Sequence, residues 1–158
     1  MPIVAPPAYQ AAPAQPKLLQ CITGHVSRSS LVQWLFENGI RWSESFYASP
    51  GAIEVIFDLY SLHDPKTVWA YLELHREILP VLLEGFYQIQ HRFGSGTTVI
   101  LSVIAEPTNP GASELFALIP TSLSVHQAMQ AMNKLDEEWW LDVPEHKTGT
   151  LNFDVKFV

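Results

Sequence analysis

Residues 86–119, FYQIQHRFGSGTTVILSVIAEPTNPGASELFALI, carry the pattern from which the expected sheet is built. Tyr87, Ile89, His91 and Phe93 alternate with Gln88, Gln90 and Arg92, the pattern of a half-exposed strand over 86–93. Gly94-Ser95-Gly96 then supplies the turn of a hairpin. Thr97 to Ala105 is β-branched and almost continuously apolar, as a central strand would be. A Pro/Asn/Gly-rich loop at 107–113 separates it from a further strand at Leu115 to Ile119. The spacing thus predicts a meander of three adjacent strands.

The flanks extend this pattern. Upstream, Ile53, Val55, Phe57 and Leu59 alternate with Ala52, Glu54, Ile56, Asp58 and Tyr60, which predicts a strand over 52–60. Asp64-Pro65 pairs a helix cap with proline at the first helical position, and a helical pattern runs to about residue 84, bent or ended near Pro80. Downstream, Ser124 with Gln127 forms a capping box for a helix over roughly 125–141, with Pro144 at its exit. Leu151, Phe153, Val155 and Phe157 point one way while Asn152, Asp154 and Lys156 point the other, so a final strand closes the sheet.

Before this body, residues 1–16 hold five prolines and no charge, the composition of a flexible Pro/Ala-rich tail. Pro13 and Pro16 approximate a PxxP docking peptide but lack basic neighbours beyond Lys17. A short helix is expected at about 28–38, capped by Ser27, stapled by Val26 and Leu31, and stopped by Asn38-Gly39. Residues 17–158 are read as one α+β domain with 17–50 as a helical appendage. The expected sheet is mostly antiparallel, of about five strands, with two helices on one face. This order resembles a ferredoxin-like split βαβ arrangement with an extra strand. Such folds host enzymes, sensors and interaction modules alike.

Composition narrows the classes further. Hydrophobic residues make up 47% of the 158 and charged ones 16%, enough for a packed core. No apolar run reaches bilayer length and no signal-peptide pattern opens the chain, so a soluble protein without membrane contact is expected. Cys21 is the only cysteine, which fits a reducing cytoplasm and excludes an intrachain disulfide or a CxxC zinc cage. Residues 51–158 carry six basic and fourteen acidic side chains, a net of −8, against +1 for residues 1–50. That field repels phosphate backbones and attracts a basic protein partner.

No sequence motif names a reaction; GxSxG, HExxH and GxGxxG are all missing. Cys21 and His25 lack two further metal ligands, His63-Asp64 reads as the approach to a helix cap, and His91, His126 and His146 have no ligand pattern, so neither metal nor cofactor is expected. Thr23 to Ser30 matches no phosphate loop. On helical wheels, His75 falls in the apolar stripe of Val68, Tyr71, Leu72, Ile78, Leu79 and Leu82. Asp136 falls in the stripe of Val125, Ala128, Met129, Met132, Leu135 and Trp139. His75 and Asp136 are therefore the candidate acid/base or orienting pair, against a purely structural reading of each. Asp136, Glu137, Glu138, Trp140 and Asp142 combine carboxylates with an indole and form the candidate partner-binding run. The leading expectation is a noncatalytic interaction or regulatory module, an inhibitor or adaptor of a basic protein. The alternative is a small enzyme or ligand-binding protein with a pocket between helices and sheet. Homodimerisation through a sheet edge or the N-terminal helix is a third possibility.

Overall fold

A computed structural model describes residues 34–39, 43–148 and 150–158. The chain divides after Arg41 into two units. In the first, residues 34–37 form a helical turn. Asn38 closes it, its backbone N–H and side-chain Nδ2 donating to Trp34 O at 3.1 and 2.8 Å, and Gly39 follows at φ +69°. This is the expected Asn-Gly stop. The rest of the expected 28–38 helix, the 1–16 tail, Cys21, His25 and the Thr23–Ser30 segment lie outside the described residues.

The second unit begins with α1 (Glu44–Tyr47) and α2 (Pro50–Leu59), followed by β1 (Ser61–His63), α3 (Pro65–Leu74) and a 3₁₀ turn at Arg76–Ile78. Then come α4 (Leu79–Phe93), β2 (Ile100–Glu106), β3 (Asn109–Thr121) and α5 (Val125–Glu138). A second 3₁₀ turn at Trp140–Asp142, α6 (Glu145–Thr148) and β4 (Leu151–Phe157) complete it. The four strands stand in sequence order, β1 parallel to β2, β2 antiparallel to β3, and β3 parallel to β4. Each parallel pair is joined by helices, as a parallel connection requires.

The molecule is α+β, but its mixed four-stranded sheet replaces the expected antiparallel five-stranded, ferredoxin-like one. Two expected strands are helices. Residues 52–59 lie in α2, which Pro50 opens at the first helical turn, and Tyr60 ends it in extended conformation. Ala52, Ile53, Ile56 and Leu59 are buried at helical spacing while Glu54 and Asp58 face out. Residues 86–93 are the second half of α4, where Leu79, Leu82, Leu83, Phe86, Ile89 and Gln90 form the buried stripe. In both stretches the apolar residues are dense enough to satisfy a period of two and one of 3.6, and the caps decide.

Pro80 therefore starts a helix instead of bending one. The long helix expected from residue 64 ends at His75, whose φ of −126° and ψ of 52° leave helical space. Gly94, at φ +108°, ends α4 and is no hairpin turn. Gln90 ties down the loop that follows, donating to Thr97 O at 2.6 Å and accepting from Gly96 N at 2.7 Å. The hairpin lies instead between β2 and β3, with β3 starting at Asn109 and a register irregularity at Ala105/Glu106.

The local signals elsewhere match. Asp64 caps α3 by accepting from Thr67 N, Ser124 and Gln127 form a reciprocal capping box on α5, and β4 spans 151–157. Leu62, Leu101, Ala117 and Phe153 make one row across the sheet. On that face Leu101, Leu115, Ala117, Ile119 and Leu151 are buried. The opposite face, through Ile100, Leu118 and Asp154, is half-buried to exposed. Tyr60 anchors α4 from outside the sheet, its buried hydroxyl donating to Leu82 O at 2.7 Å. Burial also drives its phenol far above the ordinary range. Among the described residues no helix is long and apolar enough to cross a membrane.

Candidate functional site

The exit of α5 carries the acid–tryptophan run. The capping box at Ser124 starts the helix, and Ala128, Met132 and Leu135 bury its inner stripe. Trp139 leaves helical space at φ −148°, ψ −58°, and the chain turns into the Trp140–Asp142 3₁₀ segment. Both indoles clasp Phe153 of β4: Trp139 edge-on at 5.6 Å between ring centroids, Trp140 at 4.7 Å and 81°. Trp139 is buried and Trp140 half-buried. The clasp leaves Leu141 pointing away from the core, 73% exposed.

Carboxylates surround that leucine in sequence. Glu137 and Asp142 are exposed. Glu138 accepts from Arg92 Nη2 at 2.7 Å, joining the end of α5 to α4. The Arg92 side chain is almost buried, its Nη1 also reaches Gln88, and its Nε has no hydrogen-bond partner among the described residues. Asp136 is half-buried, and burial, reinforced by the charge of Glu137, holds its carboxyl above the ordinary range. Acids at a helix C-terminus oppose the helix dipole, and among the described residues Glu138 is the one of them with a cation in contact. Of the five residues expected to bind a partner, Glu137 and Asp142 are freely presented, Trp140 is partly occupied by Phe153, Glu138 is paired and Asp136 is half-sunk. The sequence pattern does not single out Leu141; its one signal is that the wheel places Trp139 inward, two positions before it at the helix end.

His75 and Asp136 are not joined by any hydrogen bond or ion pair. Because α3 ends at Leu74, His75 leaves the wheel that placed it in the core, and its side chain is 38% exposed. Its Nδ1 lies 3.2 Å from Glu77 Oε1, and its ring rests on Tyr71 at 4.4 Å. The carboxylate beside this imidazole is therefore Glu77 from the following turn.

Tyr71 leads to a groove. Its hydroxyl hydrogen-bonds the Thr150 hydroxyl, which in turn donates to Ser113 O at 3.1 Å. Burial pushes the Tyr71 phenol up, the Thr150 contact pulls it down, and the charges of Glu77 and Glu114 push it up further. Thr150 also lines an open cavity of about 480 Å³ at the β2–β3 hairpin, together with Ile104, Glu106, Pro107 and Glu114. Among the described residues, no three His, Cys, Asp or Glu side chains cluster so as to hold a metal ion. His63 and His126 are exposed, and exposed His91 stacks on Tyr87 at 6.2 Å.

No family model, no curated protein and no solved structure matches this chain.

Proposed function

We propose that the chain is a noncatalytic interaction module, an inhibitor or adaptor, that offers Leu141 to a basic partner protein within a frame of carboxylates. The observation that carries this reading is the exposure of Leu141 beside half-buried Trp140, with Glu137, Glu138 and Asp142 adjacent. An apolar anchor surrounded by charge is how interfaces concentrate their binding energy, and the charge speeds encounter with an oppositely charged surface. The wider surface supports the same partner chemistry. Glu54, Glu106, Glu114 and Glu145 are exposed, whereas Arg76 is taken up by Glu73 and Arg92 by Glu138. The single cysteine suits a reducing cytoplasmic setting.

The test uses the tagged full chain to retain a basic protein at low ionic strength, followed by reconstitution with that protein in purified form. Leu141→Asp, and separately Glu137→Lys with Asp142→Lys, should weaken the purified complex by about tenfold or more. Glu54→Lys with Asp58→Lys on α2 makes the same change in net charge and should weaken it less. Failure to retain any basic protein, or wild-type affinity in Leu141→Asp, overturns the reading.

A further inference from the structure

We propose that β4 pairs with β4 of a second copy of this chain, antiparallel about a twofold axis at Val155, to give one continuous sheet. This surface is separate from Leu141 and its acids. Two hydrogen bonds set the phase of β4 against β3: Leu115 N donates to Thr150 O at 2.9 Å, and Val158 N donates to Thr121 O at 3.1 Å. The even-numbered residues of the strand thus face β3, and the amides and carbonyls of Leu151, Phe153, Val155 and Phe157 face outward. A third contact confirms this, since Val155 N–H donates to the Asp154 carboxylate at 2.8 Å and not to β3. Among the described residues nothing pairs with this edge. It is seven residues long, whereas β1 at the opposite edge has three. Such an edge is a template for another strand.

The register follows from chemistry. Turning a copy about Val155 sets the outward-bonding residues opposite one another: Val155 against its counterpart and Phe153 against Phe157. The non-bonded positions between them then place Asp154 opposite Lys156 twice, once on each side of the axis. Both side chains are exposed and lie on the same face of the sheet. Directly opposed unlike charges favour a pairing, and like charges disfavour it. A twofold axis at Phe153 would set Asp154 against Asn152 and leave Lys156 without an opposite charge; a parallel copy in register would set Asp154 against Asp154. Only the axis at Val155 satisfies both charges. It also covers Phe157, 49% exposed in the single chain, against an aromatic ring. In the single chain the Asp154 carboxylate occupies the central outward donor, and pairing exchanges that contact for the copy's Val155 carbonyl and Lys156 ammonium.

Charge exchange in the full chain tests this by sedimentation equilibrium and light scattering at near-physiological salt. The wild-type chain should dimerise with rising concentration. Asp154→Lys and Lys156→Asp should each lose most of the dimer, because each sets like charges opposite one another twice. An equimolar mixture of the two variants should form a heterodimer, and the double variant Asp154→Lys with Lys156→Asp should dimerise again. Val155→Pro removes an amide that β3 does not use, so it should keep the fold by circular dichroism and lose the dimer. Leu141→Asp should dimerise like wild type, which keeps this outcome distinct from partner binding. A wild-type chain that stays monomeric, single variants that dimerise like wild type, or a mixture that fails to associate would each overturn the proposal.

Discussion

Gly85 of α4 lies directly against Phe153 of β4: a Cβ built at Gly85 would stand 2.9 Å from the phenyl Cζ and 3.0 Å from the Trp139 ring. The missing side chain is what lets helix, strand and indole meet. Gly85→Ala must displace rings inside a packed layer, at a cost of about 1–3 kcal/mol. Urea unfolding should show that loss. Phe153→Leu on the Gly85→Ala background should recover part of it, through a coupling between the two sites that independent positions would not show.

The Arg92–Glu138 pair links α4 to the end of α5, and its two partners differ in burial. Glu138→Gln leaves an almost buried guanidinium facing a neutral acceptor and should lower stability by about 1 kcal/mol, the modest size reflecting solvent around the carboxylate. Arg92→Met should cost less than Arg92→Ala, because the aliphatic stem is the part that packs. The order of the two variants in thermal unfolding checks this.

Asp136 and Asp64 should move stability with pH in opposite senses. Burial and Glu137 raise the folded-state pKa of Asp136, so its ionised form is disfavoured by folding. Its contribution is fully present below the ordinary carboxylate pKa and is lost as pH rises through the raised value. Asp136→Asn should therefore be more stable than wild type at neutral pH, and the gap should close in acid. The Asp64 carboxylate is held below its ordinary range, first by the Thr67 hydroxyl and then by the Thr67 amide. Its contribution is present above the ordinary pKa and is lost as pH falls through the lowered one. Asp64→Ala should be destabilised at neutral pH and approach wild type in acid; denaturant midpoints across pH 2–7 would separate the two residues.

The Ser124 hydroxyl accepts from Gln127 N at 3.2 Å, while Gln127 Oε1 accepts from Ser124 N at 3.2 Å. Ser124→Ala should cost about 0.5–2 kcal/mol, and Ser124→Asp should retain most of the stability because a carboxylate still caps the helix. Amide exchange in the first turn of α5 should rise in the alanine variant alone.

Much of the chain was legible where one short segment carries its own hydrogen-bond chemistry. Asp64-Pro65, Ser124 with Gln127, and Asn38-Gly39 each satisfy or terminate helix ends within a few residues, and β4 alternates cleanly because one of its faces meets the core. Residues 52–60 and 86–93 resemble strands in sequence because closely spaced apolar side chains fit either period. β1 has three residues, too few for a periodic signal to emerge. The acidic run at 136–142 was legible as composition, but the exposure of Leu141 was not, since it depends on Trp139 and Trp140 both turning onto Phe153.

The α+β class, the caps of α3 and α5, the alternation of β4 and the acidic balance of residues 51–158 are legible from the chain alone. These depend on neighbours along the chain or on totals over it. The strand order, the fit of Gly85 under Phe153 and the outward phase of Val155 emerge only once the chain is folded. Each of those depends on which distant segments meet, and no local period or propensity encodes that distance.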